Sequence, residues 1–342
     1  MSTKNKTLLG FIGETCKEIR EQQEKANNAP IATTADVEEI VRTMVNETFI
    51  NSVSAKVDEP STELIILEGE EFFFANGTPV VVKERPDGEE GCLITWDGGE
   101  ILAGPTLNLF GGRHDDETLT NTSVTIEGGY VKHVFGGGLH KSHTVKAVVK
   151  MTGGKCRNIR GGGADRWINT CTCSSVKYDG DIDNTWNIVE DITMELTGGT
   201  CENLVYGGGN GYSYAKSLSM IIDGDFVAET YVTVGGSNGH EGTGVLVVNG
   251  GNINILQGIN RGTMNTIDMV INGGTINKLF AGGEIPFAGS PEKPNTSTDA
   301  SGTFKKCTLT INGGEIAEVS RGGNNYLVVE EDDPAVVIND LR

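Results

Sequence analysis

Few residues of this 342-residue chain are spaced as chemistry requires. His114, Asp115 and Asp116, with His140 and His143, are the imidazole and carboxylate types that hold a divalent metal. They would do so if neighbouring turns of the chain brought the two groups together, but both groups follow directly on glycine clusters, where solvated polar residues are the default. Cys171 and Cys173 form C-x-C with no second ligand pair at zinc-finger spacing. Asp179, Asp181 and Asp183 could supply the two carboxylates of glycoside cleavage, which must stand about 5 to 9.5 Å apart across a sugar, yet they crowd into one loop. No glycine cluster runs into G-K-S/T or opens a helix, so a phosphate cradle is not indicated. The expectation is a protein that is not an enzyme, with no catalytic, metal-binding or cofactor-binding residue and no cofactor.

What would position any such group is a repeat. V-T-I-E-G-G-Y-V-K-H-V-F-G-G-G (Val124 to Gly138) recurs down the chain as a β-branched run, a glycine pair, two apolar residues three apart and a second glycine cluster. The pairs begin at Gly128, Gly153, Gly198, Gly224 (degenerate, Gly224-Asp225), Gly250, Gly273 and Gly313, at intervals of 25, 45, 26, 26, 23 and 40. The two long intervals are one repeat plus an insertion, within Ala164 to Val189 and Pro286 to Ser301, as solenoids carry loops. A unit of about 25 residues is too small to bury a core alone and must stack on its neighbours. At a rise of about 3.3 Å per residue it holds three short strands and their turns. The expected fold class is therefore all-β, a right-handed parallel β-helix, with a short N-terminal α-helical segment.

The positions three and six after each first glycine are Val131 and Val134, Cys156 and Ile159, Cys201 and Leu204, Ile253 and Leu256, Ile276 and Leu279, and Ile316 and Val319. They are expected to form two inward ladders, which makes Cys156 and Cys201 small buried hydrophobes rather than redox groups.

Four segments are expected: 1–55, a helical attachment segment; 56–92, a small β connector; 93–329, the parallel β-helix; and 330–342, an acidic tail or terminal cap. In the first, Leu8, Leu9, Ile12, Cys16 and Ile19 mark one amphipathic helix and Val37, Ile40, Val41, Met44 and Val45 a second, capped by Thr34 or Asp36. Their apolar stripes need a partner: the first rung of the solenoid, whose open edge a helix would cap, other copies of the chain, or a different protein. Docking to another surface or self-association is preferred, so Leu8, Leu9, Ile12, Val37, Ile40, Val41 and Met44 are the expected attachment or oligomerisation residues. In the connector, Asn76-Gly77 signals a hairpin and Pro79 an edge strand. The run C-L-I-T-W-D-G-G-E-I-L-A-G-P-T-L-N-L-F-G-G-R, from Cys92, reads as an atypical first rung.

A formal net charge of −20 argues against nucleic acid or an anionic membrane as partner. Seven scattered cysteines and no charged, then apolar, N-terminal run give no sign of a disulfide framework or signal peptide. No apolar run approaches the roughly 20 residues of a membrane helix.

The G-G-x-I/V/C-x-x-I/L/V repeats with their closing glycine clusters, and the N-terminal N-A-P-I-A-T-T-A-D-V-E-E-I-V, resemble β-helical structural proteins of tailed bacteriophages: head fibres, decoration proteins, tail fibres and spikes. The resemblance implies a virion protein made in the host cytoplasm, anchored by its N-terminus to capsid or tail and baseplate proteins. It also implies self-association, with a trimer among the arrangements, and a host surface glycan as ligand. Two other readings stand beside it, a polysaccharide lyase or glycoside hydrolase of a tailspike and a bacterial adhesin. Adhesins normally begin with a signal peptide. No catalytic residue carries over.

Overall fold

The computed structural model describes residues 62–67, 69–114, 117–164, 187–211, 213–237, 239–260, 262–283, 303–324, 327–328 and 335–342. The chain divides into two compact units, Met1–Glu59 and Pro60–Arg342, and every described residue belongs to the second. The expected helices and attachment residues lie outside the described residues, as do both insertions for most of their length.

All regular structure among the described residues is β-strand. β1 (Glu63–Leu67) runs antiparallel to β2 (Glu70–Phe74). β3 (Val80–Lys83) leads into an antiparallel hairpin of β4 (Cys92–Trp96) and β5 (Gly99–Ala103), then β6 (Leu107–Phe110). From there the repeat takes over: β7 (Thr118–Ile126) and β8 (Tyr130–Phe135), then β9 (His143–Arg160) and β10 (Asn187–Tyr206), long strands that each pass through a glycine pair. β11 (Ser213–Ile222), β12 (Val227–Thr233), β13 (His240–Val248) and β14 (Asn252–Gln257) follow. The last repeats are β15 (Thr263–Ile271) with β16 (Thr275–Phe280) and β17 (Thr303–Ile311) with β18 (Glu315–Ser320). β19 (Gly323–Asn324) and β20 (Leu327–Val328) form a small antiparallel pair, and β21 (Val336–Asp340) closes the chain.

Nineteen of these strands form one mostly parallel sheet. In the repeats, strands pair with the equivalent strand one repeat away. Series A is β3, β7, the first half of β9, the first half of β10, β11, β13, β15, β17 and β21. Series B is β2, β6, β8, the second halves of β9 and β10, β12, β14, β16 and β18. This is the pairing pattern a solenoid requires.

Stacking equivalent positions puts like on like. Val124, Val149, Met194, Met220, Leu246, Met269 and Leu309 are successive partners in series A and all are buried. Each such side chain contributes about 1.5–3 kcal/mol relative to exposure, which no single repeat could assemble. Outside the first corner the repeat leaves an asparagine ladder: Asn312 Nδ2 donates to Asn272 Oδ1 at 2.8 Å, and Asn272 Nδ2 to Asn249 Oδ1 at 2.9 Å. Such ladders satisfy side-chain amides with their own copies above and below.

The inward ladders of series B are Val131, Cys156, Cys201, Ile253 and Ile276, and Val134, Ile159, Leu256 and Leu279, all buried. Ile316 and Val319 are half-buried against the same core. The third copy departs from expectation: Leu204 is half-buried and Val205 fills the core, because the register between β9 and β10 shifts between Cys201 and Leu204. Cys156 and Cys201 face each other in register as free thiols. The contact with Cys201 together with burial holds the Cys156 thiol well above its ordinary range, so neither the nucleophilic nor the metal-ligating thiolate forms there.

Three N-terminal expectations are corrected. Cys92–Ala103 is an antiparallel hairpin turning at Asp97-Gly98, with Gly98 at φ +98°, and not a rung. Asn76-Gly77 takes left-handed values of +51° and +86°, yet β2 and β3 pair with β6 and β7 instead of with each other, so this turn is a corner between the series. Pro79 precedes a strand paired on both sides, to β4 and β7. The acidic C-terminal run supplies β21, which adds a parallel strand to β17.

Candidate binding face

In β6, β8, β9 and β10 the last residue of the series B strand stands just before the closing glycine cluster. Pleating puts it on the face opposite its neighbour: Val134 lies in the main core, and Phe135 joins a second cluster with Phe72, Phe74, Phe110, Leu139 and Ala164. The parallel register then lines up Phe74, Phe110, Phe135, Arg160 and Tyr206. Adjacent strands lie about 4.8 Å apart, close to the preferred separation of stacked rings. The centroids of Phe74 and Phe110 are 5.0 Å apart, and those of Phe110 and Phe135 4.5 Å with planes 1° from parallel. His114 closes the N-terminal end of the stack, edge-on to Phe74 at 4.8 Å.

Arg160 continues the stack as a cation between rings, its guanidinium carbon 5.0 Å from the Phe135 centroid and 5.5 Å from that of Tyr206. A planar, weakly hydrated guanidinium suits that slot better than an ammonium. Burial pushes its pKa below the usual arginine value, and its Nε has no hydrogen-bond partner. Asn260 Nδ2 donates to the Tyr206 hydroxyl at 2.9 Å.

Two residues earlier on the same strands runs a polar line. Asn108, His133 and Asn158 are successive partners. Asn158 Nδ2 meets His133 Nδ1 at 2.7 Å, and Asn203 Nδ2 donates to Asn158 Oδ1 at 3.0 Å. Burial, then the charges of Arg160, Lys132 and Arg157, push His133 down to about 3. Its ring is neutral at physiological pH and accepts at Nδ1, so its one proton sits on Nε2. At the N-terminal end Asn108 Nδ2 donates to Glu70 Oε2 at 2.9 Å, and Glu70 Oε1 pairs with Lys132 at 2.5 Å. Phe74, Phe110, Phe135, Arg160 and Tyr206 are buried, as are Asn108, His133 and Asn158, so both lines are internal stacks that order the side of the sheet away from the main core; they present no pair of carboxylates poised as acid and base.

The sequence-expected groups fall elsewhere. Leu8, Leu9, Ile12, Val37, Ile40, Val41 and Met44 lie outside the described residues, with Asp115, Asp116, Cys171, Cys173, Asp179, Asp181 and Asp183. His114 and His143 are not brought together on one centre: His114 pairs with Glu63 and His143 with Glu190, each at 2.9 Å. Among the described residues no three histidine, cysteine, aspartate or glutamate side chains gather as metal ligands. The aromatic line went unread in the sequence, where its one signal is that Phe110, Phe135, Arg160 and Tyr206 each stand directly before a glycine cluster.

No family model, curated protein or solved structure matches this chain.

Proposed function

We propose that the described unit winds as a right-handed parallel β-helix of about 25 residues per turn, and that the protein is structural and adhesive, a surface-exposed fibre, spike or decoration protein of a tailed-phage particle. The observation that supports this reading is the parallel pairing carried without interruption from β2 and β3 to β18 and β21, with its first strands covered by β1 and β4. Such a stack stores its stability between repeats, resists local opening and presents a long lateral face. The phage assignment rests on the repeat and N-terminal motifs. In this reading residues 1–55 attach the protein to capsid or tail proteins or to further copies of itself, and an outer lateral face of the stack contacts host glycan.

Deleting the residues before Lys56 tests the attachment role. The account expects a folded, soluble protein that no longer assembles into particles or oligomers. Aggregation of the truncated chain would instead mark residues 1–55 as a cap over the first strands. A screen against neutral and acidic polysaccharides tests the rest: binding without cleavage supports adhesion, whereas depolymerisation lost on Asp181→Asn or Asp183→Asn would make the protein an enzyme.

A further inference from the structure

The interior of series A holds one carboxyl group where its neighbours are apolar. Leu119, Thr144, Val189, Ala215, Glu241, Met264 and Phe304 are successive partners in register. Val189, Ala215, Met264 and Phe304 belong to the main core, and Glu241 is 1% exposed.

Its surroundings explain how it fits. Beside the third glycine of each closing cluster lies a small polar side chain from the start of the next strand: a Cβ on Gly138 would sit 2.3 Å from Ser142 Oγ, one on Gly163 2.2 Å from Asn187 Oδ1, and one on Gly209 2.6 Å from Ser213 Oγ. At the next level that place falls to Gly239, which has no side chain, and Glu241 reaches back to fill it. Its Oε1 is boxed by three glycines, with a Cβ on Gly208, Gly236 or Gly239 landing 2.4, 2.6 or 2.3 Å away.

The carboxyl is poorly served there. Gly236 N–H donates to Oε1 at 3.2 Å, and the buried Oε2 has no partner. Among the described residues every group facing it is uncharged: Ser213 and Ala215 from β11, Met264 from β15, and the three glycines. A buried carboxylate with one long hydrogen bond and no cation is far less stable than the neutral acid.

We propose that Glu241 is a proton-operated lock in the middle of the stack: the β11–β13–β15 seam is tight while the carboxyl carries its proton and loosens at this level when the proton is lost. Burial pushes the group from its ordinary 4.5 up to about 8, the Gly236 hydrogen bond offsetting part of the rise. Between those values the closed seam keeps the proton and the opened seam releases it. The stabilisation is therefore complete below about pH 4.5 and is lost as pH rises toward about 8, with opening favoured about tenfold more per pH unit over that window and level above it.

Hydrogen exchange on the full-length protein, from about pH 6 to about pH 9 and corrected for the intrinsic pH dependence of exchange, reads this directly. The amides of β13 should open about tenfold more per pH unit up to about pH 8 and then level off, while those of β7 stay flat. Glu241→Gln should abolish the rise, and Glu241→Met, which copies Met264, gives the same reading should the amide pack poorly against the glycines. A rise that survives both substitutions, or one spread equally over β7, overturns the proposal. So does a rise flattened by added calcium chloride and restored by chelator, since the carboxyl would then be a cation ligand.

Discussion

The two corners of the repeat both use glycine, and comparing Gly154 with Gly161 separates two reasons for it. At the first corner, between series A and series B, Gly154 takes φ +73° and is half-buried. At the second, after series B, Gly161 is buried and stays out of the left-handed region. A Cβ on Gly161 would lie 2.3 Å from Ile192 Cγ2 and 2.5 Å from the Gly207 carbonyl oxygen, so it would press on the core and on the next repeat together. A Cβ on Gly154 would lie 2.7 Å from the Gly128 carbonyl carbon, but this corner has solvent beside it into which the chain can shift. One corner is governed by backbone conformation and approach, the other by space alone.

Substitutions can break that distinction. Gly161→Ala should be the most damaging, at about 3 kcal/mol or more, because a rigid β-branched side chain and a backbone carbonyl both block the methyl group. Gly154→Ala should cost about 2 kcal/mol, and Gly154→Asn about 1 kcal/mol less than that, since asparagine tolerates the left-handed region while carrying the same Cβ. At Gly161 the same exchange of alanine for asparagine should recover nothing. Gly88, at φ +76° with nothing within 4 Å of a Cβ, isolates conformation, and Gly88→Ala should cost only about 1 kcal/mol. Denaturant midpoints for the five variants check the order, and equal losses at Gly154 and Gly88 would show that close approach counts for nothing at the first corner.

The same corners explain what could be read from the sequence. Glycine-pair spacing placed the inward residues Val131, Ile159, Leu256 and Leu279 and the buried thiols Cys156 and Cys201, because a stacked repeat makes each level repeat the environment of the last. Leu204 was misplaced because the segment from Gly198 to its closing cluster at Gly207 is one residue longer than that from Gly153 to Gly161, and the extra residue is absorbed as a register shift that brings Val205 inward. Asp97-Gly98 and Asn76-Gly77 exchanged roles because a tight turn fixes local dihedrals and leaves open whether its flanking strands pair with each other or with the next repeat. Glu241 was legible in principle: counting nine back from Gly198, Gly224, Gly250 and Gly273 gives Val189, Ala215, Glu241 and Met264. The aromatic line needed the register as well, since a phenylalanine before a glycine cluster says nothing of the ring above it.

The central claim is that equivalent positions one repeat apart are spatial neighbours across an insertion. Asn272 and Asn312, separated by the stretch from Pro286 to Ser301, test it most directly, being exposed and joined side chain to side chain at 2.8 Å. In the double variant Asn272→Cys with Asn312→Cys, a short bis-maleimide should join the two thiols within one chain in high yield. Peptide mapping should find that link in preference to any involving the buried Cys156, Cys201 or Cys307. Failure of the two to join in a folded protein, or cross-links formed only between separate chains, would contradict the stacked arrangement.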